Sequence, residues 1–157
     1  MKKKSLIINT LFILYIALML WLLFGQRMGR ELNDSYSEVL LSNINLIPFA
    51  TVKLFLNAIQ GSLSDYTVKH SLINLIGNVV MFIPLGYFIP SVSKKNSSFR
   101  KCISLCALII LIVEIVQLFT LLGSCDIDDF ILNIAGIIIG YGIYKGGYSY
   151  GKNRKNS

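Results

Sequence analysis

Polar positions along this chain fall in clusters, and between the clusters lie four long runs with almost no charge. Leu6 to Phe24 holds no charged residue and a single Asn. Residues 71–90 are again uncharged, and 102–122 carry one acid, Glu114. The fourth run covers 129–145. A helix needs about 20 predominantly apolar residues to cross roughly 30 Å of hydrocarbon. The first three runs meet that length. The fourth has an apolar centre, Phe130 to Tyr144, that is short for a crossing, so it is expected to borrow residues from Ile127 or from Gly146 to Tyr148. The pattern predicts an all-α, polytopic membrane protein with four spans. Between the first two spans lies a polar segment, 25–69, in which Val52 to Ile59 reads as a short interfacial helix.

Composition supports that reading. The chain has 157 residues, 54% hydrophobic and only 15% charged, with a mean hydropathy of +0.64. A water-facing globule of this size needs charge spread over its whole surface. One membrane domain, 1–157, is therefore expected. Three unpaired cysteines without metal-ligand spacing offer neither a disulfide framework nor a zinc site.

Charge adds orientation. Eleven of the fifteen basic residues lie in three groups: Lys2 to Lys4, Lys94 to Lys101, and Lys145 to Lys155. With four spans all three groups share one side, which the positive-inside rule makes cytoplasmic, with both termini. Every acid except Glu114 falls on the other side. The net charge of +7 is thus topological, and a nucleic-acid partner is excluded for want of a soluble basic face. Lys2 to Lys4 would also suit a secretory leader. The long apolar run and the absence of a small-x-small site at Gly25-Gln26-Arg27 favour a retained anchor.

Polar residues inside spans carry the most information, because each is costly in hydrocarbon. His70, Asn74 and Asn78 recur every four residues and share a helix face. Gly77 beside them would admit a neighbouring helix, and Pro84 predicts a kink below the stripe. Glu114 and Gln117 share a face of the third span. At 1.5 Å per residue Glu114 lies about 15 Å below Ser124, near the midplane. There it is expected to be protonated, hydrogen-bonded to Gln117 or a span-two Asn, or exposed to a water-filled cavity. The fourth span opens with Asp126, Asp128 and Asp129 and continues through Asn133, Gly136 and Gly140. Asp126, Asp129, Asn133, Gly136 and Gly140 are spaced three, four, three and four apart, so as a helix they share one face. Capping explains one or two of the acids. Three acids also suit a hard divalent cation or a cationic ligand group. Asn74, Asn78, Gln117 and Asn133 come at similar depth, with Glu114 beneath. They predict a polar cleft among spans two, three and four, open to the outer face. Span one reads as an anchor.

An ordered set of motifs runs through these positions: Asn45-Leu46-Ile47-Pro48-Phe49, then residues 74–86 from Asn74 through Gly77, Asn78 and Pro84 to Gly86, then Glu114-Ile115-Val116-Gln117, then 126–136, then Gly140-Tyr141. In this order the chain resembles the VanZ-like family of small bacterial membrane proteins over about 43–144. One departure is that Gly123 is followed by Ser124 and Cys125, where many members carry an Arg. The family takes its name from a member associated with resistance to the glycopeptide teicoplanin. The resemblance implies a bacterial cell membrane, a cell-envelope role and no particular reaction.

Three functions fit. A non-catalytic envelope protein would handle a lipoglycopeptide or a lipid-linked wall precursor in the outward cleft, with membrane lipids as its other partners. A small intramembrane enzyme would use Glu114 as acid or base and the aspartates as metal ligands. The chain has no DDxxD, HExxH or GxSxG motif to support that chemistry. A proton-coupled carrier would titrate Glu114. Lacking an inverted repeat, four spans would then need a homo-oligomer.

Overall fold

A computed structural model describes residues 2–25, 35–57 and 65–153. Parts of the predicted interspan segment, 26–34 and 58–64, lie outside the described residues. Six α-helices account for almost all of the rest: α1 (Lys2–Phe24), α2 (Tyr36–Ser42), α3 (Ala50–Asn57), α4 (Asp65–Val92), α5 (Phe99–Phe119) and α6 (Ile127–Asn153). Two short strands, β1 (Ile44–Asn45) and β2 (Cys125–Asp126), pair in parallel. Four helices are long and apolar enough to span a membrane: α1, α4, α5 and α6.

Their outer surfaces say what surrounds them. Leu6, Ile13 and Trp21 of α1, Ile73 and Ile76 of α4, Leu108 and Ile112 of α5, and Ile138 and Ile143 of α6 are all exposed. Apolar surface this extensive is not tolerated in water and suits a hydrocarbon solvent. The protein is an all-α polytopic membrane protein.

The buried centre is small: Met19, Phe82, Leu85, Cys102, Cys106, Ile110, Ile137 and Tyr141. Without a hydrophobic drive between helices in lipid, close backbone packing has to hold the bundle. The α4–α6 pair supplies it, and it is the most extensive helix–helix interface. A Cβ on Gly86 would run into the Ile137 carbonyl, one on Gly136 into the Val79 carbonyl, and one on Gly140 into the Ile83 carbonyl. Residue numbers rise together along both helices, so α4 and α6 run parallel. Gly77 does not belong to this set. A Cβ there would meet nothing within 4 Å, so the close approach expected at Gly77 is found further along α4, at Gly86.

Helix α5 stops at Phe119, three residues before the apolar run ends. Leu121 adopts a left-handed φ of 55°. Its N–H bonds the Leu118 carbonyl and the Leu122 N–H bonds the Gln117 carbonyl, each at 3.1 Å. This is a Schellman closure, which usually recruits Gly at the left-handed position. Helix α6 begins at Ile127 and continues past 145 without a break.

Candidate functional site

The three aspartates at the start of α6 do separate jobs. Asp126 lies in β2, outside the helix. It therefore does not share the α6 face with Asp129 and Asn133, as helical spacing from 126 would require. Its Oδ1 accepts the Asp128 N–H at 2.8 Å and so caps α6. Its Oδ2 accepts from Asn45 Nδ2 at 2.9 Å. Asp128, 1% exposed, accepts the backbone N–H of Phe49. Phe49 has a left-handed φ of 63°, a conformation that turns the chain into α3. The Asn45–Phe49 stretch is thus fastened to the start of α6 by the β1–β2 pair and by two carboxylates. Tyr36 Oη adds a bond to the Phe119 carbonyl, 2.9 Å, which ties α2 to the end of α5.

Asp129 turns the other way. Its Oδ1 accepts from Asn78 Nδ2 and from Asn74 Nδ2 at 3.2 Å, joining α6 to the polar stripe of α4. Asn78 Nδ2 also lies 3.3 Å from Asn74 Oδ1. Gln117 is buried on α5, and its Nε2 donates to the Leu23 carbonyl of α1 at 3.1 Å. The side chain of His70, one turn beyond Asn74, lies outside the described residues.

These groups enclose a cavity of about 40 Å³ lined by Asn74, Asn78, Glu114, Gln117, Asp129 and Asn133, with Leu23, Phe82, Val113 and Ser124. Glu114, Gln117 and Asn133 are each 6% exposed or less. Oδ1 of Asn133 is buried with no hydrogen-bond partner among the described residues. Asp126 and Asp128 are not part of this lining. Among the described residues no group of three or more His, Cys, Asp and Glu side chains is placed to share a metal ion. Beside the cavity, burial pushes the Cys125 thiol above its ordinary range, with the carboxylates of Glu114 and Asp126 adding to the rise.

A second, larger space lies next to the first. It is a groove of about 510 Å³ between α1 and α4. Tyr15, Leu18, Met19 and Leu22 form one wall, and Ile73, Gly77, Val80, Met81 and Pro84 form the other. Leu23, Asn74, Asn78 and Gln117 line both spaces, so the groove ends at the polar cavity. Tyr15 Oη donates to the Met81 carbonyl at 2.9 Å across the groove floor. Span one is therefore more than an anchor, because it supplies a wall and the carbonyl that fixes Gln117. Sequence reasoning missed this contribution. Its only signal was Tyr15, a polar-tipped aromatic in the middle of an apolar run.

A protein-family model described as VanZ/LLP1 matches residues 12–148, from within α1 to within α6. The chain is also similar to Protein VanZ of Enterococcus faecium, at 30% identity over 83 residues. That match covers 53% of this chain and 51% of the relative, so the chain spans about half the length of the curated protein it matches. No solved structure matches.

Proposed function

Because the chain belongs to the VanZ/LLP1 family, we propose that it is a cell-envelope membrane protein that binds an amphiphile and thereby alters sensitivity to teicoplanin-type glycopeptides. One observation carries this reading: a 510 Å³ apolar groove that ends at a buried polar cavity. Ligand pockets for small molecules are typically about 300–1,000 Å³ and mostly apolar, with a few converging polar groups. The groove would take a hydrocarbon tail and the cavity part of the head. A lipoglycopeptide has that build.

Basic residues at one end of the bundle and acids at the other support cytoplasmic termini and an outward-facing site. Cys125, at the acidic end, offers the check. An impermeant thiol reagent applied to intact cells at alkaline pH should label it, and labelling only after lysis would reverse the orientation.

The decisive experiment expresses the chain in a susceptible host and compares teicoplanin with vancomycin. The expected outcome is reduced sensitivity to the lipid-bearing drug alone, abolished by Gly77→Phe, which fills the groove. Unchanged sensitivity to both drugs would remove the resistance reading. The meeting of Glu114 and Asp129 in one cavity favours a second reading, acid–base chemistry on a lipid head. That reading requires all-or-none loss with Glu114→Gln, whereas a binding site gives graded losses along the lining.

A further inference from the structure

The polar cavity has a donor–acceptor imbalance that restricts what can enter it. Three of its four amide side chains already donate: Asn74 and Asn78 to Asp129, and Gln117 to Leu23. The lining is also rich in acceptors. Each carboxylate can accept about four hydrogen bonds, and both Glu114 and Asp129 line the space. To these is added Asn133 Oδ1, buried without a partner among the described residues on a side chain 3% exposed. A buried acceptor left unmet is costly, so a visiting donor would relieve it. No Lys, Arg or His is among the lining residues described.

Volume narrows the choice further. About 40 Å³ admits a water-sized group or two and is too small for a sugar. A phosphate would also meet two carboxylates, with no Lys, Arg or His among the described lining residues to offset them. A primary ammonium fits on size, sign and donor count.

We propose that Glu114, Asp129 and Asn133 form a site for a primary ammonium group carried on an amphiphile, with the hydrocarbon tail in the α1–α4 groove. The tail's place rests on the amphiphile reading above. The ammonium site rests on the cavity's own lining. Four shared residues link the two spaces, so head and tail are adjacent in one molecule.

The test uses three ligands with one tail: dodecylamine, dodecyltrimethylammonium bromide and dodecanol, titrated calorimetrically into the full chain in a nonionic detergent at neutral pH. Dodecylammonium combines charge with donors, the trimethyl head has charge alone, and the alcohol has a donor alone. The expected result is that dodecylammonium binds about tenfold or more tightly than either. Asp129→Asn and Asn133→Leu should erase that preference and leave dodecanol binding intact, which also shows that each variant is folded. Glu114→Gln should do the same. Equal affinity for the three heads, or a preference that survives all three variants, would overturn the ammonium site and leave the groove standing. Methylammonium chloride binding as tightly as dodecylammonium would overturn the amphiphile as its carrier. Failure of all three ligands to bind would overturn the groove reading itself.

Discussion

Helix α4 has two faces that use glycine in opposite ways. Toward α6, Gly86 lies against the Ile137 backbone, while Gly136 and Gly140 of α6 lie against the carbonyls of Val79 and Ile83. Toward α1, Gly77 faces open space and lines a groove. A small residue in a span therefore has two meanings: it lets a backbone in, or it leaves room for something else. The tight face makes the bundle and the loose face makes the site. Spacing cannot distinguish them, because both are small residues on an apolar helix.

The sharpest way to break this contrast is to add a side chain on the tight face. Gly140→Leu would drive a four-carbon side chain into the Ile83 carbonyl. Overpacking commonly costs about 1–3 kcal/mol and sometimes more. With backbone on the receiving side the cost should reach at least the top of that range. The expected outcome is loss of the monodisperse folded species on size-exclusion chromatography in detergent, together with loss of resistance to trypsin. A Gly140→Leu protein with wild-type thermal stability would mean that α4 and α6 do not meet as described.

The next largest effect concerns the segment fastened over the start of α6. Asp128→Ala leaves the Phe49 N–H without its acceptor, and the expected cost is about 1–3 kcal/mol. It should fall on α2, β1 and α3 rather than on the spans. Hydrogen exchange should therefore rise across 36–57 while α4 and α6 stay protected. Asn45→Ala removes one bond to Asp126 and should cost about 1 kcal/mol, with the same regional signature.

How far these features could be read from the residues differs by kind. The spans were legible because the run length set by a bilayer is a strong constraint, and Glu114, Gln117, Asn74, Asn78 and Asn133 stood out as polar groups in hydrocarbon. Helix ends were less so. Leu121 takes a left-handed turn usually given to Gly, and nothing in Phe119-Thr120-Leu121-Leu122 announces it. Helix α2 passed unnoticed although Ser35 and Glu38 hold capping-box spacing; Glu38 Oε2 does accept the Ser35 N–H, at 3.2 Å. The aspartates read as one cluster because adjacent letters look like adjacent charges. Helix α6 starts only at Ile127, so Asp126 and Asp128 turn to the Asn45–Phe49 stretch and Asp129 alone enters the cavity. The groove was invisible, because it depends on how α1 leans on α4, and no residue encodes that alone.

The smallest effect on stability is the most informative about the loose face. Gly77→Ala adds a methyl where nothing lies within 4 Å, and replacing a mid-helix Gly by Ala favours the helix by about 1 kcal/mol. The substitution should therefore leave thermal unfolding unchanged or raise it slightly, the reverse of any substitution at Gly86, Gly136 or Gly140. Gly77→Phe should also fold, since its ring can lie along the groove between Leu18 and Val80, and there it should occupy the space meant for a hydrocarbon tail. Retained stability with lost dodecanol binding would separate the site from the scaffold on one residue. A marked loss of stability with Gly77→Ala would mean that α1 or another helix closes on this face, and the distinction between the two sides of α4 would fail.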